Sequence, residues 1–207
     1  GVTAMTNPRT IHDFWGFPPE LSAVSYDAPG DPEIAELVRD VAKPTLVHND
    51  QEWGLDHGTW SVLKHMFPDA SIPVVQLSID GTKPLSEHLD LGTRLARLAT
   101  EHDVLIVGSG NVVHNLSLVD WTAGNTGTAW ADSFDEAARD IMLTDPSRLE
   151  TLTEHPGFTR AVPTPDHFLP LAYIAGVTAA LGSTEVGVFN EQRTMGSLSM
   201  TGYQVAS

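Results

Sequence analysis

The chain has 207 residues, of which 41% are hydrophobic, and a formal net charge of −16 from 11 basic and 27 acidic residues. This length and composition predict one substantial core in a single domain spanning residues 1–207. The acidic balance argues against nucleic acid and anionic membranes as partners, and no apolar run approaches the roughly 18 residues of a membrane span. The absence of cysteine excludes disulfides and cysteine-bound metal sites, and it suits a cytoplasmic protein.

An aromatic loop precedes the first strongly predicted helix. It spans Thr10–Pro19, reads TIHDFWGFPP, and contains His12, Phe14, Trp15 and Phe17. Such a loop can line an apolar pocket for a planar ligand, but aromatic side chains beneath a long loop also simply anchor it.

Apolar periodicity predicts alternating helices and strands along the chain. Helices are expected at Asp31–Ala42, Pro84–His102, Ser133–Leu143 and Phe168–Leu181, with a short one inside Pro146–Phe158. Ser133, with Glu136 three residues later, is typical of a capping box. Strands are expected at Thr45–Val47, Ile72–Ile79, the apolar run after Asp103, Glu185–Asn190 and Ser197–Ala206. This order favours an α/β fold with a mixed, mainly parallel central sheet flanked by helices.

The most informative stretch is Asp103–Leu116, DVLIVGSGNVVHNL, in which the apolar run stops at Gly108 and Gly110 and is followed by His114. It predicts a buried strand and then a glycine turn whose backbone can approach a ligand closely. Ligands of open α/β sheets bind at the carboxyl edge of the strands, so His114 is a candidate site residue. The glycines could instead only turn the chain, because their spacing matches no phosphate-binding loop.

Two more histidines are expected at the starts of helices. Asp56 is a candidate N-cap, which puts His57 in the first turn of a helix. Thr164 and Pro165 predict another helix start, with His167 in its first turn. The positive end of a helix favours neutral imidazole, which can accept a proton or bind a metal, although a capping role also explains both positions.

The three candidate histidines are far apart along the chain. His114 follows His57 by 57 residues and precedes His167 by 53, and these separations match no compact metal motif. Three other histidines lie among polar neighbours beside predicted helices, which predicts solvent-exposed positions for His65, His88 and His102. The residues alone therefore indicate an α/β protein with a candidate histidine-rich metal or acid–base site.

Six segments, in chain order, resemble the DOPA 4,5-dioxygenase-like branch of the class III extradiol ring-cleavage dioxygenases. They read TIHDFWGFP, WGLDHGTWSVL, FPDASIPVVQLSID, GSGNVVHNL, TPDHFLPL and MGSLSM, and the resemblance runs from about Gly1 to Gln204. It implies an oxidoreductase that uses non-haem Fe(II) and O2 to open a catechol ring beside its hydroxyls, in a family that often carries zinc. The alternatives are a non-catalytic family member that binds a metal, small ligand or partner protein, and a metal-dependent hydrolase.

The resemblance also implies roles for individual residues. His167 in TPDHFLP resembles a metal ligand, and His114 in VVHNL resembles a histidine that acts as a ligand or as the base beside the metal. His57 in the DHG motif resembles the histidine that faces substrate and oxygen. The candidates to line the ring pocket are Phe14, Trp15 and Trp53.

One departure from the family concerns the rest of the metal site. The family's other two ligands lie in N-terminal motifs, roughly a GHGSP-like loop and an SAHW-like strand end, and neither motif occurs in this sequence. The chain is therefore expected to be N-terminally incomplete relative to the family, and a complete metal site would need those residues.

Overall fold

Helices interspersed with a few short strands are the regular elements of the chain in a computed structural model, which describes residues 1–182 and 185–205, and four short strands follow the last helix. Internal contacts divide the chain into two units, Gly1–Ser78 and Ile79–Ser207, called here the first and the second unit. In the part of the chain that is described, no helix has the length and apolar character needed to cross a membrane. The single domain expected from chain length stays a prediction.

The first unit combines short strands with helices of modest length. Its elements are β1 (Val2–Thr3), α1 (Pro19–Ser22), α2 (Pro32–Val41), β2 (Asn49–Asp50) and α3 (His57–Met66), and β1 pairs with β2 in parallel. The helix predicted at Asp31–Ala42 is confirmed as α2, and the Asp31 carboxylate caps it by accepting hydrogen bonds from the N–H groups of Glu33 and Ile34. One hydrophobic core cluster of this unit consists of Tyr26, Ala28, Leu55, Trp60 and Leu63.

The second unit is mainly helical. Its helices are α4 (Leu85–His102), α5 (Ala129–Thr144), α6 (Phe158–Ala161) and α7 (Leu169–Leu181), with 3-10 segments at Leu116–Leu118 and Pro146–Glu154. Two antiparallel pairs complete it: β3 (Val186–Phe189) with β6 (Gly202–Val205), and β4 (Arg193–Thr194) with β5 (Leu198–Ser199). Its largest buried side chains include Phe134, Met142, Leu149, Leu152 and Phe168.

Two glycines allow α4 and α7 to pack closely. A Cβ atom on Gly92 would lie 2.2 Å from the carbonyl oxygen of Tyr173, and one on Gly176 would lie 2.1 Å from that of Leu89. Both distances are far shorter than van der Waals contact, so the two helix backbones can approach this closely only because neither position carries a side chain.

His88 lies on α4 and contacts Tyr173 of α7, so its predicted exposure to solvent is wrong. The side chain is 2% exposed, and its Nδ1 lies 3.0 Å from the Tyr173 hydroxyl. Its polar neighbours Glu87 and Asp90 are exposed, because successive helix residues point in different directions. Burial lowers the pKa of His88 below its ordinary value.

We expect the free energy of unfolding to decrease as the pH is lowered from about 6.5, in part because of His88. The folded protein holds this imidazole neutral, whereas the unfolded chain takes up a proton near pH 6.5. Its stabilising effect is therefore complete above that pH and is lost as the pH falls towards the depressed pKa of the folded state.

Urea titrations of the wild type and of His88→Gln between about pH 7.5 and about pH 5 test this expectation. The variant keeps a hydrogen-bonding group for Tyr173 but cannot titrate, so its stability should depend less steeply on pH. Equal pH dependence in the two proteins would contradict the prediction.

The mainly parallel central sheet is not confirmed. The described residues form two-stranded pairs only, one parallel and two antiparallel. The predicted strand at residues 72–79 contributes one isolated bridge, between Leu77 and Val2, and the run after Asp103 forms no ladder. The expected burial of that run is also wrong at Leu105, which is 66% exposed. An apolar sequence indicates that a segment favours burial, but it does not indicate whether another segment of the protein packs over it.

Several element boundaries also differ from the expected ones. α5 begins at Ala129, after Thr128, so Ser133 lies inside the helix and the predicted capping box is wrong. The strand expected at residues 45–47 forms instead at β2. The closing strand expected at 197–206 is divided into β5 and β6, and its last residue, Ala206, lies outside the described residues.

Candidate active site

His114 lies on a segment that is held by backbone hydrogen bonds on two sides. Its own N–H donates to the carbonyl of Ala161 at 2.9 Å. On the other side it forms an antiparallel bridge with Leu198, flanked by a 2.9 Å bond from the Ser199 N–H to the Val113 carbonyl. The position of His114 is therefore set by α6 and by β5 together.

Glycines bring the same segment close to the residues around the start of α7. A Cβ atom on Gly110 would lie 2.2 Å from the carbonyl oxygen of His167, and one on Gly108 would lie 3.0 Å from that of Pro170. The N–H of Asn111 donates to the His167 carbonyl at 2.8 Å. The close backbone approach predicted for these glycines thus exists, but its partner is the protein's own chain rather than a ligand.

This approach places the imidazoles of His114 and His167 face to face. Their ring centroids are 3.5 Å apart, the planes differ by 5°, and both residues are half-buried. The structure therefore brings together two of the three candidate histidines, although they are distant in sequence.

His167 precedes α7 instead of lying in its first turn. The helix begins at Leu169, and the N–H groups of Phe168 and Leu169 both donate to the Pro165 carbonyl, which closes a turn over residues 165–168. The predicted roles of Thr164 as cap and of Pro165 as first helical residue are wrong. Residues 165–168 form a separate turn, and α7 therefore begins at Leu169 and not at the predicted start.

Asp166 forms a hydrogen bond with Nδ1 of His167. Its Oδ2 lies 2.6 Å from Nδ1 of that imidazole. Partial burial opposes ionisation of Asp166, but hydrogen bonds from Thr164 and His167 outweigh it and lower the pKa of the carboxyl group. An ionised carboxylate only accepts hydrogen bonds, so it favours the tautomer with the proton on Nδ1 and the lone pair on Nε2.

Burial lowers the pKa of His114, and a positive charge on the stacked His167 would lower it further, while Asp166 acts in the opposite direction. The depressed pKa favours neutral imidazole near pH 7. In that form His114 can accept a proton or donate a lone pair to a metal.

His57 lies in the first unit and is the first residue of α3. The Asp56 carboxylate accepts a 3.1 Å hydrogen bond from the Thr59 N–H, which confirms the predicted N-cap. Asp13 lies beside His57, with its Oδ1 3.0 Å from the backbone nitrogen and 2.9 Å from Nδ1. Sequence reasoning missed Asp13, although it is an acidic residue within an otherwise aromatic loop and directly precedes Phe14.

The three residues predicted to line a ring pocket occupy different settings in the first unit. Phe14 packs against His12, Phe17 and Trp60, which is how an anchoring residue behaves. Trp15 is 88% exposed. Trp53 lines a cavity of about 130 Å³, together with Gly1, Thr3, Asp50, Gln76 and Ser78. That cavity is smaller than a typical ligand pocket, and neither Phe14 nor Trp15 lines it.

A metal site needs side chains that lie close enough together to share one ion. Within residues 1–182 and 185–205, no group of three or more His, Asp or Glu side chains is arranged to hold a metal ion. His114 and His167 are two imidazoles that lie side by side among these residues.

Comparison with known proteins identifies the class. The chain matches the family described as the catalytic LigB subunit of aromatic ring-opening dioxygenase over residues 3–205. It is 44% identical to a 4,5-DOPA dioxygenase extradiol of Escherichia coli K12 over 210 residues, covering 99% of this chain and 76% of that protein. A protein of the same name from Beta vulgaris is 37% identical, covering 86% of this chain and 67% of the relative.

A solved structure agrees with this. The crystal structure of an uncharacterized Escherichia coli K12 protein matches with a TM-score of 0.83 at 40% identity, covering 99% of this chain and 80% of that one. The chain therefore belongs to the LigB family of aromatic ring-opening dioxygenases. Within it, the chain falls in the DOPA-like branch of the class III extradiol dioxygenases, which confirms the resemblance of the six sequence segments.

Proposed function

We propose that this chain is an extradiol ring-cleavage dioxygenase that opens a DOPA-like catechol ring with O2 at a non-haem metal site. The observation that supports this most directly is the stacked pair of His114 and His167, with the Asp166 carboxylate hydrogen-bonded to Nδ1 of His167. The relatives named 4,5-DOPA dioxygenase extradiol supply the reaction class.

The donor chemistry of this pair fits Fe(II), and it also fits Zn(II). Neutral imidazole suits both metals, and burial favours the neutral form of His114. Metal-binding histidines usually donate their other N–H to a carboxylate or carbonyl, as His167 does to Asp166. Imidazole lone pairs lie in the ring plane, and these two planes are nearly parallel, so one ring would have to turn for both nitrogens to bind the same ion. His114 and His167 would thus hold the catalytic iron, and zinc would compete for the same nitrogens.

The residues of this chain would bind the metal and move protons. Bound Fe(II) supplies a centre that holds the catechol oxygens and O2 next to each other and allows electrons to pass between them. A neutral histidine beside the substrate takes the second phenolic proton and later returns a proton, which requires a pKa near the working pH. His57 is a candidate for this role, and His114 is the other candidate if it acts as the base beside the metal instead of as a ligand; the product is a muconic semialdehyde.

Two further aspects belong to the proposal. The ring pocket would draw on Phe14, Trp15 and Trp53, of which Trp15 and Trp53 are exposed enough to meet a ligand. We also place the enzyme in the cytoplasm because it has no cysteine, and we expect neither nucleic acid nor membrane as a partner because of its acidic charge.

One observation favours the non-catalytic alternative. Without a third protein ligand among the described residues, a protein that binds a metal, small ligand or partner without turning over substrate would account for the same fold. The test must therefore separate metal retention from oxygen-dependent chemistry.

Anaerobic loading with Fe(II), followed by DOPA and then O2, makes this separation. We expect yellow semialdehyde and matching O2 uptake only when metal, DOPA and O2 are all present. Tyrosine, which lacks the second ring hydroxyl, is the matched control and should give no product. Retained metal without oxygen-dependent product would support a binding protein, and product formed without O2 would indicate a hydrolase.

A further inference from the structure

We propose that Asp13 is a positioning residue that fixes the ring orientation and the tautomer of His57, so that Nε2 is the atom presented to a ligand. This inference rests on the proposed function only in assigning a substrate proton to that nitrogen. Its geometric basis is the Asp13 Oδ1 atom, which lies 2.9 Å from His57 Nδ1 and 3.0 Å from the His57 backbone nitrogen.

The hydrogen bond at Nδ1 determines which nitrogen is free. Neutral imidazole carries one proton, and an ionised carboxylate can only accept a hydrogen bond, so the proton must lie on Nδ1 and the lone pair on Nε2. Although partial burial opposes ionisation of Asp13, hydrogen bonds from the backbone and ring of His57 outweigh it and lower the pKa of this carboxyl group. Asp13 is therefore an anion at neutral pH.

The first turn of α3 reinforces the same arrangement. Asp13 accepts the N–H of the first helical residue, at the positive end of the helix, where a negative charge is stabilised. Because one carboxylate oxygen accepts both the backbone and the ring N–H of His57, the side chain is tied to the start of its own helix. Rotation of the ring would break the second of these bonds.

Asp13 is itself held by an anchored segment. The N–H of Ile11 donates to the Leu55 carbonyl at 2.7 Å, and the indole N–H of the buried Trp60 donates to the Ile11 carbonyl at 2.8 Å. Phe14, on the other side of Asp13, packs against Trp60 with ring centroids 6.1 Å apart. The carboxylate is thus carried on a loop that the core of the first unit fixes in place.

Phe14 also restricts the imidazole directly. Its ring lies perpendicular to that of His57, with centroids 5.8 Å apart and planes at 86°. The His57 side chain nevertheless remains 47% exposed, so a ligand can reach it. A ring that is oriented by a carboxylate, packed on an aromatic side chain and still accessible has the properties required of a general base.

Nitrogen NMR of the imidazole side chains tests the inference without requiring activity. In metal-free, 15N-labelled protein above about pH 7.5, long-range 1H–15N spectra should show His57 with a protonated Nδ1 and a bare Nε2. His57→Gln identifies the signals. Asp13→Ala should shift His57 towards the Nε2-protonated form that an unconstrained histidine prefers, and Asp13→Asn should retain the Nδ1-protonated form because its amide oxygen still accepts.

Turnover supplies the second readout. With Fe(II), DOPA and O2, Asp13→Ala should lower kcat by about 10- to 100-fold with little change in KM, and Asp13→Asn should recover part of the loss. Asp90→Ala, which removes an exposed carboxylate from α4, is the matched control and should leave both readouts unchanged. Circular dichroism of each variant confirms that it is folded.

The outcomes distinguish this inference from the proposed function. A wild-type His57 protonated on Nε2, or the same tautomer in the wild type and in Asp13→Ala, would overturn the positioning role. If the tautomer changes as expected but the wild type forms no ring-cleavage product, the positioning role stands and the proposed function fails.

Discussion

Replacement of His167 by alanine is expected to abolish metal retention and ring cleavage together. The substitution removes one of the two stacked imidazoles and leaves Asp166 without its ring N–H partner. Loss of a partner outside the coordination sphere typically lowers metal affinity or activity by 10- to 100-fold, so loss of a ligand should exceed about 100-fold. Metal content after dialysis, and semialdehyde formation with DOPA and O2, measure the two effects.

Two matched variants make this experiment specific. His102→Ala removes an exposed histidine from the last turn of α4 and should retain both metal and turnover. Asp166→Asn keeps an acceptor for the His167 ring but removes the charge, so its loss should be smaller than that of His167→Ala. A His167→Ala protein that keeps one equivalent of metal and wild-type turnover would show that His167 is not a ligand.

Local signals in the sequence were sufficient for several helices. The start of α3 could be predicted because Asp56 caps it through a contact three residues away, and α4 because its leucines recur at helical spacing. Such signals depend on neighbouring residues alone. This is why the placement of His57 at a helix start is confirmed.

Other features depend on contacts between distant residues, and the sequence did not reveal them. The stack of His114 on His167 requires Gly110 to meet the His167 carbonyl, a contact that no spacing rule contains. His88 is buried because α4 meets α7 at Gly92, whereas its sequence neighbours are polar. The predicted central sheet failed for the same reason, since strand pairing depends on partners elsewhere in the chain.

The motif MGSLSM contributed to the family resemblance, but the sequence assigned it no role. In the structure its two serines, Ser197 and Ser199, are fully buried. The Ser197 carbonyl accepts the N–H of Asn115, and the Ser199 N–H donates to Val113, so the motif supports the segment that carries His114. The motif is itself held in place by a buried carboxylate, that of Asp135.

Asp135 connects this motif to α5. The side chain is 1% exposed, and its Oδ2 accepts hydrogen bonds from the Thr201 hydroxyl at 2.7 Å and from the Arg193 guanidinium at 3.1 Å. Its Oδ1 accepts one from the Ser199 hydroxyl. All three donors lie within residues 193–201, so a single carboxylate ties the segment that pairs with His114 to the core of the second unit.

Asp135→Ala is therefore expected to lower the free energy of unfolding by about 2–5 kcal/mol, because it removes the acceptor of two hydroxyl groups and leaves the largely buried Arg193 guanidinium with Asp132 as its remaining carboxylate. Asp132→Ala is the matched control: it removes a carboxylate that binds the same Arg193 at 2.7 Å but is 37% exposed, so it should cost no more than about 1 kcal/mol. Urea unfolding measures both values, and amide hydrogen exchange at His114 and Ser199 should accelerate in Asp135→Ala only. Equal destabilisation by the two variants would show that Arg193 alone, rather than the buried carboxylate, holds the segment that positions His114.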